Sequence, residues 1–118
     1  MKEIKLAVTT DGSGDGSATS TESVSGVLYA VQLVDGDYAD GVDVTITCEQ
    51  QDLSIPILVK ANFNTDQMLY PRVVEVLNTD GSALGTNGHP LVNGYMKAVV
   101  AQGGATKSGS FYCYIVEL

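Results

Sequence analysis

Apolar and polar residues alternate at every second position along much of the chain, which is the pattern of half-buried β-strands. In the first such stretch Ile4, Leu6 and Val8 share one face, and the opposite face is mostly polar. The pattern predicts eight strands, at Lys2–Thr10, Ser17–Val24, Val27–Val34, Val42–Glu49, Ser54–Ala61, Arg72–Leu77, Tyr95–Gln102 and Phe111–Leu118. Only Asn62–Leu69 leaves room for a helical turn.

Glycines that follow Asp or Asn mark the places where the chain reverses, because these dipeptides tolerate the positive φ angles of tight turns. They are Gly12, Gly16, Gly36, Gly41, Gly81, Gly88 and Gly94. The last two strands are expected to form a hairpin across Gly103–Gly109. Pro56 has no amide hydrogen, which predicts a sheet edge or a bulge. The chain is therefore expected to form a single all-β domain over residues 1–118, an antiparallel β-sandwich or a jelly-roll-like fold.

Two of the predicted strands are apolar on both faces. In Phe111–Leu118, Tyr112 and Tyr114 share one face, and Phe111, Cys113 and Ile115 share the other. Val27–Val34 has the same character. Such strands need two covers, either a second sheet or a neighbouring subunit, and both alternatives stay open.

Charge and length exclude several classes of function. The 118 residues suit one domain, and 14 acidic against 6 basic side chains give a formal charge of -8 that repels phosphate backbones. No apolar stretch reaches the length of a signal peptide or a membrane span, so neither a nucleic acid nor a membrane is an expected partner. One His and two Cys leave few groups for catalysis, so neither an enzyme nor a cofactor is predicted.

One motif matches the calcium loop of an EF-hand, with Asp11, Ser13 and Asp15 as oxygen donors, Gly16 at the bend and Glu22 at the bidentate position. The flanking segments predict strands, whereas an EF-hand needs helices. A flexible hairpin turn is therefore the favoured interpretation, with cation binding as the alternative.

The other candidate groups favour structural roles. Asp35, Asp37, Asp40 and Asp43 crowd one segment that is interpreted as a solvated turn rather than a cation site or a glycosidase pair. His89 lies in a loop without a nucleophile elbow and is expected to be non-catalytic. Cys48 and Cys113 occupy apolar, strand-like runs, which favours two buried reduced thiols over a disulfide bridge.

The order of turns and strands resembles a group of small all-β virion proteins of tailed bacteriophages. The segments that carry the resemblance are Thr9–Asp15, Gly26–Val31, Val42–Ile46, Tyr70–Arg72, Val92–Gly94 and Val99–Gly104. The resemblance implies a capsid decoration or cement protein, often a jelly-roll-like homotrimer, whose partner is the major capsid protein. It brings no catalytic residues. The expected location is the virion, after synthesis in the cytoplasm of the host bacterium.

Two segments, Asp11–Ser20 and Ala61–Leu69, are predicted to act as arms that contact the shell, and the acidic surface would complement basic patches there. The alternative is a carbohydrate-binding or receptor-binding β module of a phage tail fibre. Its candidate contact is Tyr38, an aromatic residue flanked by Asp37 and Asp40.

Overall fold

Ten β-strands make up the regular structure of the chain. The computed structural model describes residues 1–76 and 78–118. The strands are β1 Lys2–Thr9, β2 Gly16–Thr19, β3 Val24–Val34, β4 Asp43–Gln50, β5 Leu53–Lys60, β6 Gln67–Leu69, β7 Val73–Val76, β8 Ala83–Gly88, β9 Leu91–Ala101 and β10 Ser108–Glu117. In the part of the chain described, no helix is long and apolar enough to cross a membrane.

Eight strands form one sheet, in the order β1-β10-β3-β9-β4-β5, with β2 added to β9 and β6 added to β3. The pairs are antiparallel, and β7 and β8 form a separate two-stranded hairpin. The long strand β9 holds the sheet together: Leu91–Gly94 pairs with β3, and Tyr95–Ala101 pairs with β4. The predicted all-β class and antiparallel pairing are confirmed.

One hydrophobic core lies on the inner faces of these strands. The alternation predicted for β1 is confirmed, because Ile4, Leu6 and Val8 are all buried. Loop residues also enter the core: the ring of Phe63 lies edge-on to those of Phe111 and Tyr38, with centroids 5.7 Å and 6.1 Å apart. These three rings form an aromatic cluster that ties β10 to two loops.

One sequence prediction about strand pairing is wrong, and one conformation that the sequence left room for is not formed. Asn62–Leu69 holds no helical turn; its last residues form β6, which pairs with β3. The last two strands do not form a hairpin, because β9 pairs with β2, β3 and β4, whereas β10 pairs with β1 and β3. In both cases long-range strand pairing decides the structure over local sequence.

Strand boundaries differ from the prediction by one residue in β1, β4 and β5, but β3, β9 and β10 begin three or four residues earlier than predicted. The described residues form ten strands instead of eight, since β6 and β8 were not predicted. The predicted strand Ser17–Val24 is divided between β2 and the start of β3, which does not change the count. The prediction for Pro56 is confirmed: β5 is an edge strand, and the register with β4 shifts beside this proline. Leu77, the last residue of the predicted strand Arg72–Leu77, lies outside the described residues.

The outer face of β10 is only partly covered. Tyr112 and Tyr114 are half-buried there; the Lys5 ammonium lies 5.8 Å from the Tyr112 ring centroid, and the Tyr114 hydroxyl donates to Gln32 at 3.0 Å. Neighbouring polar side chains therefore supply the partial cover of this face.

Candidate functional site

The calcium-loop pattern forms a self-contained turn. Asp11 Oδ1 accepts hydrogen bonds from Ser13 N at 2.8 Å, Ser13 Oγ at 2.7 Å and Asp15 N at 3.1 Å. The hydrogen bond from the Ser13 side chain, followed by those from the backbone, lowers the pKa of Asp11. Glu22 instead pairs with Lys2 Nζ at 3.0 Å. Within residues 1–76 and 78–118, no three His, Cys, Asp or Glu side chains are placed to hold a metal ion.

The clustered aspartates fasten loops to the body of the protein. Asp37 Oδ1 accepts from Ser108 N at 2.6 Å, and Asp43 Oδ1 accepts from Asn62 N at 3.0 Å. Carboxylates that bond to backbone amides in this way satisfy donors that a turn would otherwise leave unpaired. The structure therefore gives these side chains a role in holding turns.

Asp35 differs from the other members of this group, because its Oδ1 is buried and accepts no hydrogen bond from the described residues. Burial, followed by the charges of Asp66, Asp40 and Asp37, raises its pKa. A carboxyl whose folded-state pKa is raised destabilises the fold once it ionises, and protonation removes this penalty as the pH falls through the folded-state pKa.

We therefore expect Asp35→Asn to raise the free energy of unfolding at pH 7 and to leave it nearly unchanged well below the ordinary Asp pKa of about 3.9. Urea unfolding at both pH values measures the difference. A loss of stability at pH 7 would contradict the prediction.

Both cysteines are buried and free, as predicted. Burial raises the pKa of Cys113 to about 12, so its thiol stays protonated at neutral pH. His89 is exposed, and its ring stacks on that of Tyr29 with centroids 5.7 Å apart.

The interpretation of Tyr38 as an exposed aromatic contact is wrong. Only 5% of this residue is exposed. Its hydroxyl donates to the Val8 carbonyl at 2.6 Å, and its ring stacks on Phe111. Burial raises the pKa of Tyr38 to about 12. The aspartates beside it point to the loop surface, while the ring completes the core.

The two predicted arms are fastened to the body. In Asp11–Ser20, the Gly14 carbonyl accepts from Gly103 N at 2.9 Å, and β2 is paired with β9. In Ala61–Leu69, Phe63 is fully buried and β6 is paired with β3. Neither segment projects from the body as an arm, and contact of these segments with a capsid shell stays a prediction.

A different segment extends from the sheet: residues 73–76 and 78–88, here called the hairpin arm. Its strands β7 and β8 pair with each other and with no other described strand. Its apolar residues Val73, Val74, Val76 and Leu84 are all exposed, Val74 to 59%. An isolated two-stranded ribbon is marginally stable in water. The arm therefore presents apolar side chains without a core to receive them.

The base of the arm is anchored. Pro71 and Pro90, which flank it, are buried, and the Pro90 carbonyl accepts from Leu28 N at 2.9 Å. The register between β3 and β10 shifts at a β-bulge, where Tyr29 has no partner residue on β10. A bulge of this kind changes the direction in which a side chain points. The Tyr29 ring stacks on His89 and meets Tyr70 edge-on with centroids 5.9 Å apart. These contacts fix where the arm leaves the sheet.

The tip of the arm is a tight turn. Asp80 Oδ1 accepts from Ser82 N at 2.9 Å and from Ser82 Oγ at 2.7 Å, and these bonds lower the pKa of Asp80. Gly81 has a φ of +73°, the left-handed conformation that glycine adopts without strain. Local chemistry therefore closes the hairpin without help from the sheet.

A second surface without cover is the strand β5, which lies at the end of the sheet and pairs with β4 and with no other strand in residues 1–76 and 78–118. Its sequence is Leu-Ser-Ile-Pro-Ile-Leu-Val-Lys, yet none of its residues is fully buried, and Val59 is 71% exposed. Open, apolar edge strands are templates for pairing with another chain. Residues Ile57–Lys60 are here called the β5 edge.

An open cleft of about 590 Å³ lies where the β4–β5 turn meets β9. It is lined by Tyr95, which is exposed, together with Gln50, Asp52 and Asn93. One oxygen of the adjacent Glu49, Oε2, is buried without a hydrogen-bond partner in the described structure. The cleft thus combines an aromatic ring with amide and carboxylate groups.

Sequence reasoning placed β7 but missed the arm as a unit. The strand β8 reads Ala-Leu-Gly-Thr-Asn-Gly, a sequence whose glycines and asparagine are typical of turns. The Asp80-Gly81 dipeptide between the strands is the signal that could have identified the hairpin.

In comparisons with known proteins, no family model, no curated protein and no solved structure matches the chain.

Proposed function

We propose that the protein is a non-catalytic structural component of a tailed-bacteriophage virion. Its role is that of a capsid decoration or cement protein, which binds the major capsid protein on the outer shell and stabilises it as a homotrimer. The observation that carries the proposal is that the hairpin arm and the β5 edge keep apolar side chains in water, beside a core that is otherwise well closed. Exposed apolar surfaces of this kind mark interaction sites.

Charge and fold support the same role. The net charge of -8 favours a basic protein surface over the packaged DNA. We also propose that the sheet folds over its core as a sandwich or jelly roll. Support for this comes from β1, which lies beside β2 and β9 although it pairs with neither.

We expect the purified protein to sediment with genome-free, expanded capsids of the phage that carries its gene, with saturable stoichiometry, and to raise the temperature at which those capsids break down. Sedimentation followed by gel densitometry measures binding, and light scattering during heating measures capsid stability. An unrelated acidic protein of similar size controls for non-specific adsorption. If the protein stays in the supernatant while the capsids offer sites in excess, the proposal is contradicted.

The second candidate is a carbohydrate-binding or receptor-binding module of a tail fibre, and the cleft beside Tyr95 favours it. A sugar ring can pack its C–H face on an aromatic side chain, and its hydroxyls can bond to amides and carboxylates. Binding to a glycan array that is lost in Tyr95→Ala would favour this candidate over capsid decoration.

A further inference from the structure

We propose that copies of this chain assemble by adding β7 of the hairpin arm to the open β5 edge of a neighbouring copy. This inference rests on the proposed function as an assembly protein and names the surface through which the trimer forms. Addition of a strand to an exposed sheet edge is a common mode of recognition, in which backbone hydrogen bonds give affinity and side chains give specificity.

The arm sets the requirements for its partner. The outer edge of β7 is open, since β7 pairs with β8 and with no other segment among the residues that the structure describes. Val73, Val74 and Val76 are all exposed, and they are distributed over both faces of the strand. A partner must therefore supply both unpaired backbone groups and apolar side chains on each side.

The β5 edge meets these requirements over a length that matches. Pro56 has no amide hydrogen and ends the part of β5 that can form a regular outer ladder. The part that remains, Ile57–Lys60, has four residues, as does β7; each segment contains one register irregularity, at Ile57 and at Glu75. Val59 is exposed, and Ile57 and Leu58 are half-buried.

Charge indicates a second copy of the chain as the occupant. Glu75 is the single charged residue of β7, and Lys60 is the single charged residue of the β5 edge. Neither forms an ion pair with the residues that the structure describes. Opposite charges on adjacent strands stabilise pairing, so each copy carries both halves of a complementary contact.

The arrangement of the two surfaces permits a closed ring. Each copy offers one arm and one edge from different parts of the chain, which makes the contact head-to-tail. Head-to-tail contacts either close into rings or extend into filaments. Closure at three copies gives the proposed homotrimer.

The test is a charge exchange measured by sedimentation equilibrium. Wild-type protein is expected to show a mass three times the 12.4 kDa of the chain. Glu75→Lys and Lys60→Glu are each expected to weaken every contact by about two- to five-fold, because each places like charges on neighbouring strands. The double variant is expected to restore wild-type association. Glu3→Lys, the same change of charge on an exposed position of β1, is the matched control and should leave association unchanged.

A second variant removes the arm: residues 73–88 are replaced by a short Gly-Ser linker, which should give a folded monomer that unfolds in one cooperative thermal transition. The inference is overturned if wild-type protein is monomeric, if this deletion still forms trimers, or if the double charge variant fails to recover association.

Capsid sedimentation of the same samples separates the two proposals. If the charge exchange changes trimer formation but the trimers do not bind capsids, the proposed function alone is overturned. If the trimers bind capsids but the charge exchange does not change their formation, this inference alone is overturned.

Discussion

Phe111→Ala is expected to lower the free energy of unfolding by about 3–5 kcal/mol. The Phe111 ring is fully buried between Phe63 and Tyr38, with centroids 5.7 Å and 6.4 Å away. Truncation would remove the ring's burial and leave a cavity that the neighbouring rings cannot fill without moving two loops. Since domains of this size are stable by about 5–15 kcal/mol, the loss is a large fraction of the total. Urea unfolding followed by circular dichroism measures it.

The adjacent residue supplies the control. Tyr112 lies on the outer face of β10 and is half-buried, so Tyr112→Ala is expected to cost about 1 kcal/mol. A loss for Phe111→Ala no larger than that for Tyr112→Ala would show that the aromatic cluster does not hold the two loops to β10.

Alternation made the strands and the buried faces predictable. The predicted first strand, Lys2–Thr10, differs from β1 by one residue, and its apolar face is the buried one. A period of two is a local property of the chain, because successive side chains on a strand point to opposite faces. Local sequence is therefore enough to identify which residues of β1 enter the core, but not for β5, where none of the apolar residues is fully buried.

Strand partners were not predictable by the same reasoning. The hairpin expected between the last two strands assumed that neighbours in sequence pair with each other. Instead β9 pairs with three other strands, and Gly94 permits one of these contacts because an alanine Cβ there would overlap the Glu49 carbonyl. Pairing depends on how all the strands share one core, which no short segment encodes.

The candidate site shows the same division between local and long-range information. The turn at Asp80-Gly81 is local and was visible as a chain reversal, whereas the lack of any cover for Val74 is a property of the whole fold. Tyr38 shows the reverse error. Its acidic neighbours indicated an exposed loop, yet the ring fills the space beside Phe111 and bonds to Val8.

The turn after β3 gives a second large expected effect, because the main chain of another strand fills the space beside Gly36. This residue has a φ of +60°. A Cβ added to it would overlap the Ser108 carbonyl oxygen and lie 3.0 Å from Gly109 Cα. Two hydrogen bonds clamp the same turn to β10: Asp37 N donates to the Ser108 carbonyl at 3.0 Å, and Ser108 N donates to Asp37 Oδ1 at 2.6 Å.

We therefore expect Gly36→Ala to lower the free energy of unfolding by more than about 3 kcal/mol, since the left-handed conformation costs an alanine about 1–2 kcal/mol and the collision adds to this. Gly41→Ala is the matched control. Gly41 has a φ of +92°, but its added Cβ would meet only Asn62 Oδ1 at 3.8 Å, so about 1–2 kcal/mol is expected there. Equal losses in chemical denaturation would show that β10 shifts to accept the methyl group. A larger loss at Gly36 would establish that the start of β10 is held in place by this turn, on which the position of the aromatic cluster depends.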